Sequence, residues 1–486
     1  MQISNPPEAP PTGTIDEPRV FEIQDLFFST TDKEGRIKTS NEVFVRVSGF
    51  ASEELKDKPH NMIRHPDMSR VVFQLFWDEI GAGRQILAYV KNRAKDGRYY
   101  WVVALVTPIE GGYLSVRFKP SSELFPVVQS LYRELRQVES HAEAAHRGKP
   151  AAIAAGRKAL DAKLLSLGFA DYGAFMHHAF EREIRSREAA LKNRGAAPQI
   201  VQERQGLPAA GGAAENEARR VAEACQAALT ALDLLFNELE IYTKLNDAIR
   251  SKSEFVTSLS ESIRMLSLNG AVEVERLGPA GSGLGKILEW LQRFSNDIRQ
   301  GCEGLTKSLV QLISEIKSVV FELNAAKLQI EMTTDFARET LRAGANAGDA
   351  GPQAGLTAGA MEALYASSRG TVKCALAALA AVETNLHPVE KSQQNLSKSI
   401  RSLSLIYVQG KIELANVASE RLGIVFDDVS RRLTDTEDNL GALASLIQEL
   451  QKELHKGVAH REPIEQAVAK IDPGRRNGVF QEPQMG

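Results

Sequence analysis

Three runs of residues carry types and spacings that could do chemistry. The first is His60-Asn61-Met62-Ile63-Arg64-His65-Pro66-Asp67-Met68, which gathers a cation, an imidazole and a carboxylate in one loop. Its plainest reading is a loop entering a helix: Pro66 fixes the backbone, and Asp67 or Ser69 caps the first turn. That accounts for Pro66 and Asp67 but not for Arg64 beside His65. The second run is Val90-Lys91-Asn92-Arg93, followed by Asp96-Gly97-Arg98-Tyr99-Tyr100-Trp101-Val102. It reads either as a hairpin with aromatic packing or as a pocket lined by Trp101, Trp77 and Asn92. A planar heteroaromatic ligand needs apolar or aromatic walls and an amide to meet its edge. The third run extends from Met265 to Gly278 and on to Gly281-Ser282-Gly283. At its simplest it is the tip of a helical hairpin, where glycines allow the turn.

Other candidates carry less. His177-His178, and His141 with His146, have no nearby cysteine or carboxylate cluster and read as solvated side chains rather than metal ligands. The Gly281–Gly285 run is not followed by Gly-Lys-Ser/Thr and no strand precedes it, so it is no phosphate loop. No local signature suggests a Ser/His/Asp set, and no enzymatic activity is expected. Cys225, Cys302 and Cys374 read as packing residues; few and far apart, they fit a reducing cytoplasm.

The elements that must position the first two runs lie between residues 20 and 120. Phe27-Phe28-Ser29-Thr30-Thr31, then Asp32 to Arg36, predicts strand, hairpin turn and strand. Asn41 to Gly49 carries Val43, Phe44 and Val47 at helical spacing and stops at a glycine. Ser69 to Ile80 is amphipathic, with Val72, Phe73, Phe76 and Ile80 on one face. Three strand-like runs follow, Gln85–Asn92, Tyr99–Thr107 and Tyr113–Phe118. Together these make an antiparallel α+β domain.

Beyond it the period becomes helical. Ala228, Leu232, Leu235, Leu239 and Tyr242 step by fours and threes, and the rhythm returns from Leu288 to Ile330 after a glycine-rich break. A stripe repeating every ~3.5 residues favours supercoiled packing. Two such stripes about a glycine turn make an antiparallel coiled-coil hairpin. Ser262-Ile263-Arg264-Met265-Leu266-Ser267-Leu268 recurs as Ser399-Ile400-Arg401-Ser402-Leu403-Ser404-Leu405, either as a diverged duplication or by chance among Leu/Ser-rich heptads. The expected layout is a disordered leader over 1–19, the α+β domain over 20–122, and a helical connector over 123–192. A linker over 193–216 follows, then a hairpin over 217–342 with its tip near 265–285. A second linker over 343–360, a second helical hairpin over 361–460 and a tail over 461–486 complete it.

Composition excludes several classes. Lys and Arg total 59 against 62 Asp and Glu, a net charge of -3, which gives nucleic acid little to hold. A chain 43% hydrophobic and 25% charged is not disordered throughout. No apolar run approaches the roughly 20 residues of a membrane-spanning helix, and the Pro-rich start is unlike a secretory signal.

The first two runs together resemble the PAS domain of the bacterial aerotaxis receptor family. The resembling residues are Ser29-Thr30-Thr31-Asp32, Asn41 to Phe50, His60 to Met68, Phe76-Trp77, Val90-Lys91-Asn92-Arg93 and Tyr100-Trp101-Val102. The resemblance implies non-covalently bound FAD whose redox state reports oxygen or electron transport. It also implies flavin contact at Asn41, Arg64, His65, Asp67, Trp77, Asn92 and Trp101. The family usually places a Trp shortly before the Lys-Asn pair, where this chain runs Gln85-Ile86-Leu87-Ala88-Tyr89. Haem or an empty pocket are the alternatives.

The third run resembles the signalling tip of methyl-accepting chemotaxis proteins. Leu268, Asn269, Ala271, Val272, Glu273, Arg276, Gly278, Gly281 and Gly283 match the pattern; Gly270, Val274, Glu275, Leu277, Ser282 and Leu284 depart from it. In that family the tip meets neighbouring receptors, the chemotaxis histidine kinase and its coupling adaptor. The resemblance implies a partner-binding tip at Leu268, Asn269, Glu273 and Arg276. The resulting expectation is a cytoplasmic redox or oxygen transducer: an α+β PAS domain followed by an antiparallel coiled coil. It acts as a homodimer or as a four-helix pseudo-dimer built within one chain. The alternative is a cofactor-free adaptor without kinase control.

Overall fold

The computed structural model describes residues 13–193, 219–233, 264–265, 268, 270–272, 274–276, 278, 282–346, 353–417 and 420–470. They fall in two compact units. One comprises Met1–Asp233, Val320–Ala375 and Glu462–Gly486; the other comprises Leu234–Val319 and Leu376–Arg461.

The first unit is built on a five-stranded antiparallel sheet, β1 (Phe27–Asp32), β2 (Ile37–Ser40), β3 (Ile86–Arg93), β4 (Tyr99–Ile109) and β5 (Gly112–Phe118). The strand order is β2-β1-β5-β4-β3. Between β2 and β3 lie α1 (Glu42–Ser48), α2 (Ser52–Leu55), a single 3-10 turn (His60–Ile63) and α3 (Arg70–Gly81). Asn41 starts α1 by accepting from the Phe44 N–H, and Gly49 ends it at φ 74°, a conformation that costs a glycine little. Ser69 stands at the start of α3 but makes no side-chain cap to its own helix. The cap comes instead from Glu139.

Alternation along the strands divides the sheet into two faces. The pairings Phe27 with Arg117, Ser29 with Ser115, Arg117 with Ala104 and Asn92 with Tyr100 put those residues on one face. That face carries the core with Phe44, Val47, Leu55 and Ile63 from the covering helices and turn. The opposite face is covered by long helices. Residues 123–192, expected as a connector, form α4 (Phe125–Ala142), a π turn (Glu143–Arg147), α5 (Gly148–Ser166) and α6 (Tyr172–Asn193). Tyr89 stacks on Phe125 at 6.2 Å, and Phe118 meets Phe180 at 6.3 Å. Helical residues 219–233 form α7, followed by α8 (Ser282–Asn346). From Val320 onward α8 packs on this same face: Phe28 lies edge-on to Phe336 at 4.6 Å, and Gln329 Nε2 donates to Thr107 Oγ1 at 2.9 Å. Each fully buried aromatic here contributes roughly 1.5–3 kcal/mol through lost apolar surface.

One buried carboxylate fastens the helices to the sheet. Glu183 of α6 accepts from Tyr89 Oη at 2.8 Å, from the Ser121 and Ser122 N–H groups at 2.6 and 3.0 Å, and from Ser122 Oγ at 2.8 Å. His177, read from sequence as solvated, stacks on Phe321 at 4.2 Å between ring centres. Cys225 and Cys302 are buried as expected of packing residues, whereas Cys374 is exposed.

The second unit is a set of antiparallel helices with coiled-coil-like packing. It contains α8 up to Val319, α9 (Gln353–Val417) from Leu376, and α10 (Glu420–Ala459). Asn385 donates to Glu315 at 2.8 Å, Leu396 lies against Gly301, and Gly410 lies against Ile287, so α8 and α9 run in opposite directions. Gln451 donates to Glu390 at 3.0 Å and Lys411 pairs with Asp427 at 2.9 Å, so α9 and α10 do the same. The stripe Leu288, Leu291, Ile298, Cys302, Leu305 and Leu309 is buried throughout. Gly270 packs against Leu288, and the chain turns at Gly278 with φ 57°. Gly283 in turn abuts Glu413. The end of the first hairpin and the end of the second therefore lie together.

Candidate functional site

The His60–Met68 run folds against β3. The Arg64 backbone bridges that of Asn92, and the His65 N–H donates to Lys91 O at 3.2 Å. The Arg64 guanidinium lies 3.8 Å from the centre of the Phe73 ring and donates to Met68 O at 3.3 Å. His65 is buried, with its ring edge toward Tyr99 and its Nδ1 accepting from the Asp67 N–H at 3.2 Å. Burial pushes its imidazole down to about 4, and the Lys91 cation pushes the same way, so His65 is neutral at physiological pH. Asp67 pairs with Lys91 Nζ at 2.8 Å. Burial raises the Asp67 carboxyl, but Lys91 outweighs burial and holds it below the usual carboxylate range.

Arg64, His65, Asp67 and Asn92 thus gather at one end of β3. The other three expected contacts do not join them. Asn41 is buried, and its amide is engaged within the fold: Oδ1 accepts from the Phe28 and Phe44 N–H groups, and Nδ2 donates to Leu26 O at 2.9 Å. Trp77 is half-exposed on α3 and packs on Tyr113 at 6.0 Å, against the β1–β2 turn at Gly35. Trp101 lies on the opposite face of the sheet from Asn92, against Phe125 at 5.6 Å and Tyr132 at 6.0 Å of α4.

The face that carries Asn92 holds polar groups that the sequence reading passed over. Arg117 is buried beside Ser29 and His60. The buried side chains of Asn92 and Tyr100 have each other, whereas Ser115 Oγ and Arg117 Nη1 are buried without a hydrogen-bond partner among the described residues. Buried polar atoms are rarely left so. The Arg117 guanidinium can only donate and the Asn92 amide carries a further N–H donor, which suits a ligand with an acceptor-rich edge. On that test the residues present fit the carbonyl and ring-nitrogen edge of a flavin. The signal in the sequence was the alternation Tyr113, Ser115, Arg117, which places polar types on one face of a strand otherwise made of Leu114, Val116 and Phe118.

At the hairpin tip Leu268 and Arg276 are exposed, while Asn269 and Glu273 lie outside the described residues. Met265, Leu268 and Val272 are exposed on the first hairpin, and Leu405, Val408 and Ile412 repeat the same steps of three and four on the second. Among the described residues no helix is long and apolar enough to cross a membrane, and no cluster of three or more His, Cys, Asp or Glu could hold a metal ion.

Residues 37–115 match the PAS fold family. The chain is 42% identical over 112 residues to the aerotaxis receptor of Escherichia coli strain K12, a match covering 22% of each chain. It is 24% identical over 125 residues to the methyl-accepting chemotaxis protein McpA of Pseudomonas putida strain KT2440, covering 25% of this chain and 19% of that protein. The chain therefore matches only about a fifth of each relative's length. A solved PAS domain from Colwellia psychrerythraea is 22% identical, with a TM-score of 0.17, over 19% of this chain and 85% of that one. The chain is aerotaxis-receptor-like in its PAS domain and joins that domain to a mainly helical body, with similarity to methyl-accepting chemotaxis proteins.

Proposed function

We propose that the protein is a cytoplasmic sensory transducer of the aerotaxis type. Its PAS domain holds FAD and reads redox or oxygen status, and its hairpin tip engages the chemotaxis histidine kinase and coupling adaptor, or chemoreceptor arrays. It performs no catalysis of its own. The observation that carries the reading is the buried Asn92 amide beside the unpartnered Arg117 Nη1 within the domain that is 42% identical to an aerotaxis receptor. Bound flavin supplies reversible electron uptake. The protein's part is to hold it and respond: the Asn92 amide can rotate between donating and accepting as the facing edge changes. Arg64 backs Asn92 through the bridge between their backbones. Phe28 and Thr107 on the other face of the sheet touch α8, so a shift of the sheet is felt by that helix.

The test is an absorption spectrum of the purified full chain, oxidised and then reduced. A flavin band that bleaches on reduction, and that weakens in Asn92→Ala and Arg64→Ala, supports the reading. A colourless chain that takes up no added FAD removes it. For the output, Arg276→Ala and Glu273→Ala should weaken recruitment to chemoreceptor clusters, and unchanged localisation would rule out the tip as the docking surface.

The close aromatic packing of Phe21, Phe27 and Tyr100, with ring centres 5.2 to 6.4 Å apart, favours a second reading, a PAS adaptor without cofactor. The spectrum separates the two. The meeting of the two hairpin ends supports one chain acting as a pseudo-dimer. Light scattering that finds a stable homodimer through residues 218–340 would count against it.

A further inference from the structure

Arg117 is a buried charge of the PAS core. It lies in β5, 4% exposed, on the face covered by α1 and the 3-10 turn. Its Nη2 donates to Ser29 Oγ at 3.1 Å and contacts His60 Nε2 at 2.6 Å. Its Nη1 is buried without a partner, and no carboxylate of the described residues pairs with it. His60 stacks parallel to Phe44, and the guanidinium stands 5.3 Å from the centre of the same ring. Burial first, and the Arg117 cation second, push the His60 imidazole well below its ordinary value, so it is neutral and accepts. Every neighbour of Arg117 is therefore uncharged. A buried cation without a counter-charge destabilises a fold, and hydrophobic replacement of buried charges is often neutral or stabilising. Ser115 Oγ on the same face is also unpartnered among the described residues. The face has donors to spare and lacks negative charge.

We propose that Arg117, oriented by His60 and Ser29, is the anion-recognition group of the PAS core, and that it binds a planar heteroaromatic ligand through an acceptor-rich or anionic edge. The flavin reading above supplies the ligand's name; the site itself rests on the uncompensated charge. The competing account is that Arg117 merely braces β1 to the 3-10 turn through Ser29 and His60.

The full chain separates the two accounts through Arg117→Met and Arg117→Lys, with FAD as the probe. Two quantities are read: the thermal midpoint of the ligand-free chain and FAD binding by absorbance. A bracing role predicts that Arg117→Met lowers the ligand-free midpoint. The proposed role predicts that it raises the midpoint while weakening FAD binding roughly tenfold or more, with Arg117→Lys retaining part of the binding. Equal FAD binding by wild type and Arg117→Met, or a ligand-free midpoint that does not rise, overturns the proposal. If the wild type binds no FAD, the flavin reading fails separately. A raised midpoint in Arg117→Met then still supports a site for another anionic ligand, and an unraised one overturns it.

Discussion

Glu139 closes the start of a helix that begins 70 residues before it, at Ser69. Its Oε1 accepts from Ser69 Oγ at 2.7 Å and from the Val71 N–H at 2.9 Å, and its Oε2 accepts from the Arg70 N–H at 2.9 Å. The carboxylate is completely buried. The first turn of any helix leaves N–H groups without partners, and a negative charge there also meets the helix dipole. Glu139→Gln replaces one acceptor by a donor that faces other donors. We expect a loss of about 2–4 kcal/mol, measured by urea unfolding of the full chain followed by tryptophan fluorescence. A loss below ~0.5 kcal/mol would mean that water replaces the cap.

Tyr89 and Glu183 make the second such tie. Tyr89→Phe removes one of four donors to the Glu183 carboxylate and keeps the ring that stacks on Phe125. The expected cost is about 1–2 kcal/mol. Glu183→Ala leaves Tyr89 Oη and two backbone N–H groups unpaired and should cost more, about 3–5 kcal/mol. Hydrogen exchange at Ser121 and Ser122 is the direct readout: both amides should exchange faster in Glu183→Ala and little faster in Tyr89→Phe.

Two carboxylates join α8 to the PAS domain and give that contact a pH dependence. Glu339 accepts from the Glu42 N–H at 2.8 Å, and Glu322 accepts from Gln85 Nε2 at 3.4 Å. Burial pushes both up to about 7, against an ordinary value of 4.5. Between 4.5 and about 7 the folded chain holds protons that the unfolded chain has released. Stability from these groups is therefore greatest below that window and falls as pH rises through it. Glu339→Gln keeps an acceptor for the Glu42 N–H and cannot ionise. Its unfolding midpoint should decline less between pH 5 and pH 8 than that of the wild type; parallel profiles would contradict the assignment.

The PAS strands and α3 were legible because local signals set them: alternation, a glycine turn at Gly35, and an amphipathic stripe from Val72 to Ile80. The site was legible only in part. Asn92 and Trp101 look like one pocket in the sequence, but the β3–β4 register pairs Asn92 with Tyr100. That single step sends Trp101 to the other face. No local pattern announces Glu139, because the helix it caps lies far off in the chain. Arg117 was hidden for another reason. A charge in an apolar strand usually faces solvent, and only the covering of its face by α1 and the 3-10 turn makes it a buried cation.

The helix packing of the second unit can be tested with glycines in contrasting surroundings. A Cβ at Gly410 would stand 2.6 Å from the Phe426 ring and 3.2 Å from Ile287, so α9 there approaches both neighbouring helices with no room for a methyl group. Gly304, within α8, has nothing within 4 Å of such an atom. In a helix interior alanine is favoured over glycine by about 0.5–1 kcal/mol. Gly304→Ala should therefore stabilise the helical unit by about that amount. Gly410→Ala has the same helical gain, but Phe426 must move to admit it. Overpacking of this kind costs about 1–3 kcal/mol, so the net effect should be destabilising. Circular dichroism melts of the two variants beside wild type decide it. If Gly410→Ala melts as high as Gly304→Ala, α9 and α10 are not packed together at Phe426.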